Sequence, residues 1–127
     1  TGAARGAVYR RIADRAACLL GGGHAVVMDA TFLDAEARSA ASAAAEGAGV
    51  PFGALWLDAP AETLLTRVAG RQADASDADA EVVRQQLADA APPEGWRRID
   101  ASGAPHDTLR RAAEALGDVP GFALPQD

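Results

Sequence analysis

A chain of 127 residues has the length of one domain, and its formal net charge of −6 argues against a diffuse nucleic-acid or acidic-membrane surface. No apolar run approaches the roughly 20 residues that span a membrane, so a membrane protein is not expected. The lone cysteine, Cys18, excludes an internal disulfide framework and favours a reducing, cytoplasmic compartment, with its thiol buried on a helix. All 12 basic residues are arginine, and the chain contains no lysine.

The first part of the chain predicts a helix, a strand and a second helix. Apolar residues at helical spacing predict a helix over 3–20, and the glycines at 21–23 are expected to end it. The apolar run from His24 to Asp29 predicts a buried strand. Asp34 is then expected to cap a helix over 35–47, which the glycines at 47 and 49 close.

The remainder repeats this alternation. A second buried strand is predicted over 52–58, and Pro60 opens a helix over 61–72. A polar, acidic stretch at 74–79, either a loop or a helix start, leads into a helix over 81–90. A strand over 96–100 and a last helix over 105–116 follow. The domain is expected to cover residues 1–118, with a lid at about 71–92 and a loose tail at 119–127.

This order of elements predicts an α/β fold, in which a parallel sheet carries helices on both faces in three layers. Ligands of such folds bind beyond the carboxyl ends of the strands. Asp29 and Asp58 stand at two of these ends, so the loops after them are the candidate binding regions.

The segment from Asp29 to Phe32 is the first candidate site. An acid at the end of a buried strand can hold Mg²⁺ through water or polarise an acceptor hydroxyl. Thr31 can orient a phosphate or a water, and Arg38 on the next helix can bind an anionic substrate. An ordinary turn explains the tetrapeptide equally well. An aspartyl-phosphate nucleophile of the haloacid-dehalogenase type is disfavoured, because Thr31 stands where that motif has a second Asp.

The second candidate site is formed by Arg67 and Arg71, which lie one helical turn apart on the same face. Two guanidinium groups so placed can bracket phosphates and stabilise charge during phosphoryl transfer. The alternative is a solvated face that pairs with Glu62 or Asp74. The glycines at 21–23 follow a helix and have no lysine beside them, so they indicate a helix terminator and not a phosphate cradle.

Taken in order, these motifs resemble the P-loop kinases of the AAA_33 and zeta-toxin-like type, often fused in bacteria behind an aminoglycoside-phosphotransferase-like domain. Such proteins carry a Tyr-containing helix, a glycine before a strand that ends in DATF, and then an arginine. They continue with a strand, an Ala-Pro helix with two arginines, an acidic stretch and a helix with a glutamine. In this chain the matching parts are Tyr9, GGGHAVVMDATFLDAEAR (Gly21 to Arg38), Ala59-Pro60, Arg67 with Arg71, DASDAD (Asp74 to Asp79) and Gln86.

The resemblance covers about residues 1–100 and implies an ATP- and Mg²⁺-dependent kinase. It implies that Asp29 and Arg71 are catalytic, with Asp29 near Mg²⁺ and the transferred phosphate and Arg71 closing over ATP. It further implies binding roles for Thr31 and Arg38 on the acceptor side, Arg67 in the lid, and Gln86 on the helix after the lid.

One departure from that family is large. The family begins with a strand, a GxxxxGK[ST] loop and a helix, and this chain contains neither that motif nor a lysine. We therefore expect a fold incomplete at the N-terminus, a fragment that is inactive alone, and self-association through the uncovered sheet edge. The alternative is a non-catalytic binding or assembly module derived from such a kinase. The acceptor is not identified by the sequence.

Overall fold

The structure is a computed structural model that describes residues 2–71, 81–82, 84–85 and 90–122. It divides into two compact units, residues 1–52 and residues 53–127. The elements are α1 (Gly2–Gly21), α2 (Ala35–Ala48), β1 (Leu55–Asp58), α3 (Ala61–Arg71), β2 (Arg97–Asp100) and α4 (Pro105–Ala115). Residues 81–82 and 84–85 are also helical. The described residues do not include the stretch at 74–79 that was predicted as a loop or a helix start. They also exclude most of the predicted helix over 81–90, including Gln86, and the end of the tail.

The first unit is a pair of packed helices, α1 and α2. Alanines at four-residue spacing place one small-residue face of α2 in the core, at Ala37, Ala41 and Ala45. Both predicted helices are confirmed. Asp34 occupies the N-cap position of α2, but its side chain makes no capping hydrogen bond. The expectation that Cys18 is buried is wrong, because this residue is exposed on α1.

The glycine run ends α1 as predicted. Gly23 has a left-handed backbone with φ 86°, which a residue without a Cβ adopts at little cost. This turn directs the His24 N–H to the Leu19 carbonyl oxygen at 3.1 Å, closing the helix.

The strand predicted over residues 24–29 is absent, and this prediction is wrong. These residues have no regular secondary structure, and Val27 is 92% exposed. Among the described residues, β1 and β2 pair only with each other, so no neighbouring strand supplies a hydrogen-bond ladder to this segment. The apolar run reports a preference for burial, but a strand forms only when a second strand pairs with its backbone groups.

The second unit contains a small parallel sheet. Strands β1 and β2 pair in parallel, with Leu55 opposite Arg97 and Asp58 opposite Asp100. Helix α3 follows β1, and α4 packs against β2, where Ile99 is buried. The two later strands and their parallel pairing are therefore confirmed, although β1 begins at Leu55 and not at residue 52. The result is a mixed α/β structure; the three-layer arrangement stays a prediction.

Candidate functional site

The loop at residues 29–34, between α1 and α2, presents two of the predicted site residues. Asp29 and Thr31 are exposed, whereas the Phe32 side chain beside them is buried. Phe32 has φ 46°, a left-handed backbone conformation that costs a residue with a side chain about 1–2 kcal/mol. Such strain persists only where surrounding contacts hold it, and it is concentrated at functional sites.

Two side chains hold this loop from opposite sides. The Tyr9 hydroxyl oxygen of α1 accepts a hydrogen bond from the Phe32 N–H at 3.0 Å and lies 3.0 Å from Thr31 Oγ1. The Tyr9 and Phe32 rings pack at a centroid distance of 5.2 Å. From α2, Arg38 Nη1 donates to the carbonyl oxygens of Phe32 at 2.7 Å and Leu33 at 2.8 Å. The loop geometry therefore depends on Tyr9 and Arg38 together.

These contacts bring Thr31 and Arg38 to the same loop, where Arg38 binds the backbone. Its Nη1 is directed at backbone carbonyls, and a contact of Arg38 with an anionic substrate stays a prediction. Asp29 makes no hydrogen bond or ion pair with another described residue. Its exposed carboxylate is therefore open to solvent, the arrangement that water-mediated Mg²⁺ binding requires.

In the second unit, two carboxylates lie at the carboxyl ends of the paired strands. Asp58 and Asp100 are register partners, so their strands end side by side. Arg98 Nε donates to Asp58 Oδ2 at 2.7 Å, and Arg111 Nη1 lies 2.9 Å from Asp100 Oδ2. Each carboxylate is thus neutralised by its own arginine, which disfavours either one as an open metal ligand.

Asp100 also organises the loop between β2 and α4. Its Oδ1 accepts hydrogen bonds from the Ser102 hydroxyl at 2.5 Å and the Ser102 N–H at 2.9 Å. These bonds, with a further contribution from Arg111, lower the pKa of Asp100 to about 2. Asp100 therefore stays ionised at neutral pH and holds the loop at residues 101–104 in place.

The predicted lid arginines lie on α3. Arg67 Nη2 donates to the carbonyl oxygen of Gly103 at 3.1 Å, which places Arg67 beside the loop at the carboxyl end of β2. Arg71 is exposed in the last turn of α3 and forms no ion pair with a described residue. The predicted alternative partner Glu62 makes no ion pair with either arginine within the described ranges, and Asp74 lies outside them. Gln86 also lies outside them.

A dense metal site is not present in the described part of the chain, where no three His, Cys, Asp or Glu side chains cluster to hold a metal ion. A single carboxylate is nevertheless sufficient for Mg²⁺, which keeps several waters and takes its other ligands from substrate phosphates. Over the same residues, no helix combines the length and apolarity needed to cross a bilayer.

Residue patterns alone do not reveal the contacts of Tyr9. It is the only tyrosine in the chain, and its partners Thr31 and Phe32 lie 22 and 23 residues away. The one local signal is an aromatic residue on a helix of otherwise small, aliphatic and charged residues. The hydrogen bonds between Asp100 and Ser102 in the loop at residues 101–104 were also not predicted. A serine two residues after an acid at a strand end is nevertheless typical of an Asx-type turn.

The second unit thus combines a parallel strand pair, acids at the strand ends and exposed arginines on the helix after β1. The family model for an AAA domain, AAA_33, matches residues 1–93. The chain therefore belongs to this family of nucleotide-binding P-loop domains. No curated protein and no solved structure matches the chain.

Proposed function

We propose that this chain is the acceptor-and-lid part of an ATP-dependent phosphotransferase and is inactive by itself. In the intact protein, meaning this chain together with a phosphate-binding loop, Asp29 acts beside Mg²⁺ and the transferred phosphoryl group. Thr31 and Arg38 serve the acceptor side, and Arg67, Arg71 and Gln86 serve the nucleotide side.

The observation that carries this proposal is the extent of the family match. It spans residues 1–93, and every residue assigned to the site lies within that range. Membership of a nucleotide-binding family supports a role in phosphate chemistry for an exposed acid and two helical arginines. The order of the motifs along the chain supports the kinase type within that family.

The position of Arg67 supports the nucleotide side of the proposal. Its hydrogen bond to Gly103 holds it next to the carboxyl ends of β1 and β2, where open parallel sheets bind ligands. Arg71 follows one turn later, without a described ion-pair partner to neutralise it. A guanidinium without an ion-pair partner can stabilise the negative charge on a transferring phosphoryl group.

Asp29 and the metal form the other part of the proposal. Mg²⁺ would be held by Asp29 through water and by nucleotide phosphates, and it would neutralise charge on those phosphates. The exposed Asp29 carboxylate fits this role, since no described arginine competes for it.

One observation favours a second candidate function, a non-catalytic binding module. The chain has no lysine, and P-loop enzymes use a lysine to contact the β- and γ-phosphates. ADP formation by the intact protein distinguishes these two functions. A phosphotransferase releases ADP only when Mg²⁺ and an acceptor pool are both present, whereas a binding module releases none under any condition.

The isolated chain is expected to bind ATP·Mg²⁺ weakly or not at all. Without a lysine and a loop of phosphate-directed amides, the β- and γ-phosphates have no cradle. Isothermal titration of residues 1–127 with ATP and Mg²⁺ should show no saturable heat at micromolar concentrations. Micromolar binding that disappears in Arg67→Ala would show instead that the arginines suffice.

The isolated chain is also expected to self-associate. Residues 24–29 are largely apolar, carry no regular secondary structure, and leave Val27 almost fully exposed. Exposed apolar segments of this kind tend to be covered by contact with another chain. Light scattering should show a mass that rises with concentration, and Val27→Lys should reduce this rise, since a charged side chain opposes burial of the segment against another copy. A constant monomer mass for the unaltered chain at high concentration would contradict this expectation.

A further inference from the structure

The hydroxyl of Tyr9 links α1 to the loop at residues 29–34. It reaches two consecutive residues, the Phe32 N–H and Thr31 Oγ1, each at 3.0 Å. A ring without the hydroxyl would keep the aromatic packing against Phe32, but it would lose both polar contacts. The hydroxyl therefore makes two polar contacts that the aromatic ring alone cannot make.

Side chains bind both the N–H and the carbonyl oxygen of Phe32, the residue with the left-handed backbone. Tyr9 binds the N–H of Phe32, and Arg38 binds its carbonyl oxygen. Because Phe32 lies in the left-handed region, release of either contact lets the backbone return toward a common conformation. The neighbouring Thr31 would then lose its fixed position.

The chemistry of the two hydroxyls favours one direction for the bond between them. A phenol is the more acidic donor and an aliphatic alcohol the better acceptor, so Tyr9 donates to Thr31. The Tyr9 oxygen keeps its lone pairs for the Phe32 N–H. The hydroxyl hydrogen of Thr31 is then left to donate outward, away from Tyr9.

We propose that Tyr9 is a positioning residue that turns Thr31 into an outward hydrogen-bond donor for a phosphoryl oxygen of the substrate. This inference rests on the proposed function, because the phosphoryl group is supplied by that reaction. Tyr9 touches no reacting atom, and it acts through Thr31 and through the backbone of Phe32.

The first test uses the 127-residue chain and amide hydrogen exchange followed by NMR. Tyr9→Phe should raise the exchange rate of the Phe32 amide about tenfold, since a neutral hydrogen bond contributes about that factor. The matched control is Ser42→Ala, which removes an exposed hydroxyl from α2 in the same unit and should leave this rate unchanged. An unchanged Phe32 rate in Tyr9→Phe would overturn the inference.

The second test is a double-mutant cycle on kcat in the intact protein. Tyr9→Phe should lower kcat about tenfold with little change in the KM for ATP or in Tm, and Thr31→Ser should retain most of the activity. If Tyr9 acts through Thr31, adding Tyr9→Phe to Thr31→Val should change kcat no further. Fully additive losses would overturn the positioning role. Absence of phosphoryl transfer in the unaltered protein would overturn both the proposed function and the role of Thr31 as an outward donor. The hydrogen-exchange test does not depend on that reaction, because it measures only the contact between Tyr9 and the Phe32 amide.

Discussion

Replacement of Arg71 with alanine in the intact protein is expected to lower kcat by about 10²–10³-fold, by comparison with other groups that stabilise transition-state charge. Arg71 ends α3, is exposed, and has no described ion-pair partner. A lid arginine acts when it closes over the transferring phosphoryl group, so its stabilisation is realised mainly in the transition state. The loss should therefore appear in kcat more than in the KM for ATP.

The stability of the Arg71 variant should change little. An exposed arginine in the last turn of a helix contributes only about 0.3–1 kcal/mol through the helix dipole. The matched control is Arg110→Ala on α4, which removes another exposed arginine. Its Nη2 lies 3.7 Å from Asp107 Oδ1. Arg110→Ala should keep both kcat and Tm. Normal turnover in Arg71→Ala would show that the paired arginines on α3 are a solvated face, and the lid assignment would be wrong.

Replacement of Asp29 with asparagine is expected to lower kcat by about 10²-fold or more, the range for loss of a group that assists proton transfer. The change preserves shape and removes the charge that attracts hydrated Mg²⁺ and polarises the acceptor hydroxyl. Half-maximal activity should also require more Mg²⁺. Because Asp29 is exposed and bound to no described residue, Tm should be unaffected.

A nearby carboxylate provides the control for Asp29. Asp34 lies in the same loop, is exposed, and makes no capping hydrogen bond with its side chain. Asp34→Asn removes the same charge a few positions along the chain and should leave turnover and the Mg²⁺ requirement unchanged. Equal losses in both variants would mean that general electrostatics explain the effect, and the specific role of Asp29 would be wrong.

The elements that the sequence predicted well are those whose signals are local. Helix α2 shows this most clearly, since alanines four residues apart define its buried face and Gly49, with φ 68°, ends it. Pro105 in the first turn of α4 marks that helix start in the same way. These features depend on residues within one or two turns, so one sequence is sufficient to predict them.

The strand prediction at residues 24–29 failed for the opposite reason. The apolar content of this segment resembles that of β1, but β1 has β2 as a parallel neighbour and residues 24–29 have no pairing strand among the described residues. Pairing is a property of two segments that are distant in sequence. A single run of apolar residues therefore reports a tendency to be buried and does not report whether a ladder exists.

The candidate site also divides into features with local sequence signals and features that depend on residues distant in sequence. Asp58 at the end of β1 and the arginine pair on α3 were identified from the sequence, but Asp100 was not, and the strand predicted before Asp29 is absent. The contact of Tyr9 with Thr31 spans 22 residues, and the left-handed backbone of Phe32 is rare for an aromatic residue, so neither follows from local propensity. Arg38 was expected at this loop as an anion-binding group, and its bonds to two carbonyl oxygens became visible only in the folded arrangement.

The central claim is that a phosphoryl group moves from ATP to an acceptor in the protein that contains this chain. Phosphorus NMR of the intact protein with ATP, Mg²⁺ and a pool of small-molecule acceptors follows the γ-phosphorus directly. The account predicts a new phosphoester resonance that grows in step with ADP, with inorganic phosphate well below ADP, and its loss in Arg71→Ala. ADP matched by inorganic phosphate at every time point would identify a hydrolase, and no ADP with any acceptor pool would identify a non-catalytic module; either result would contradict the account.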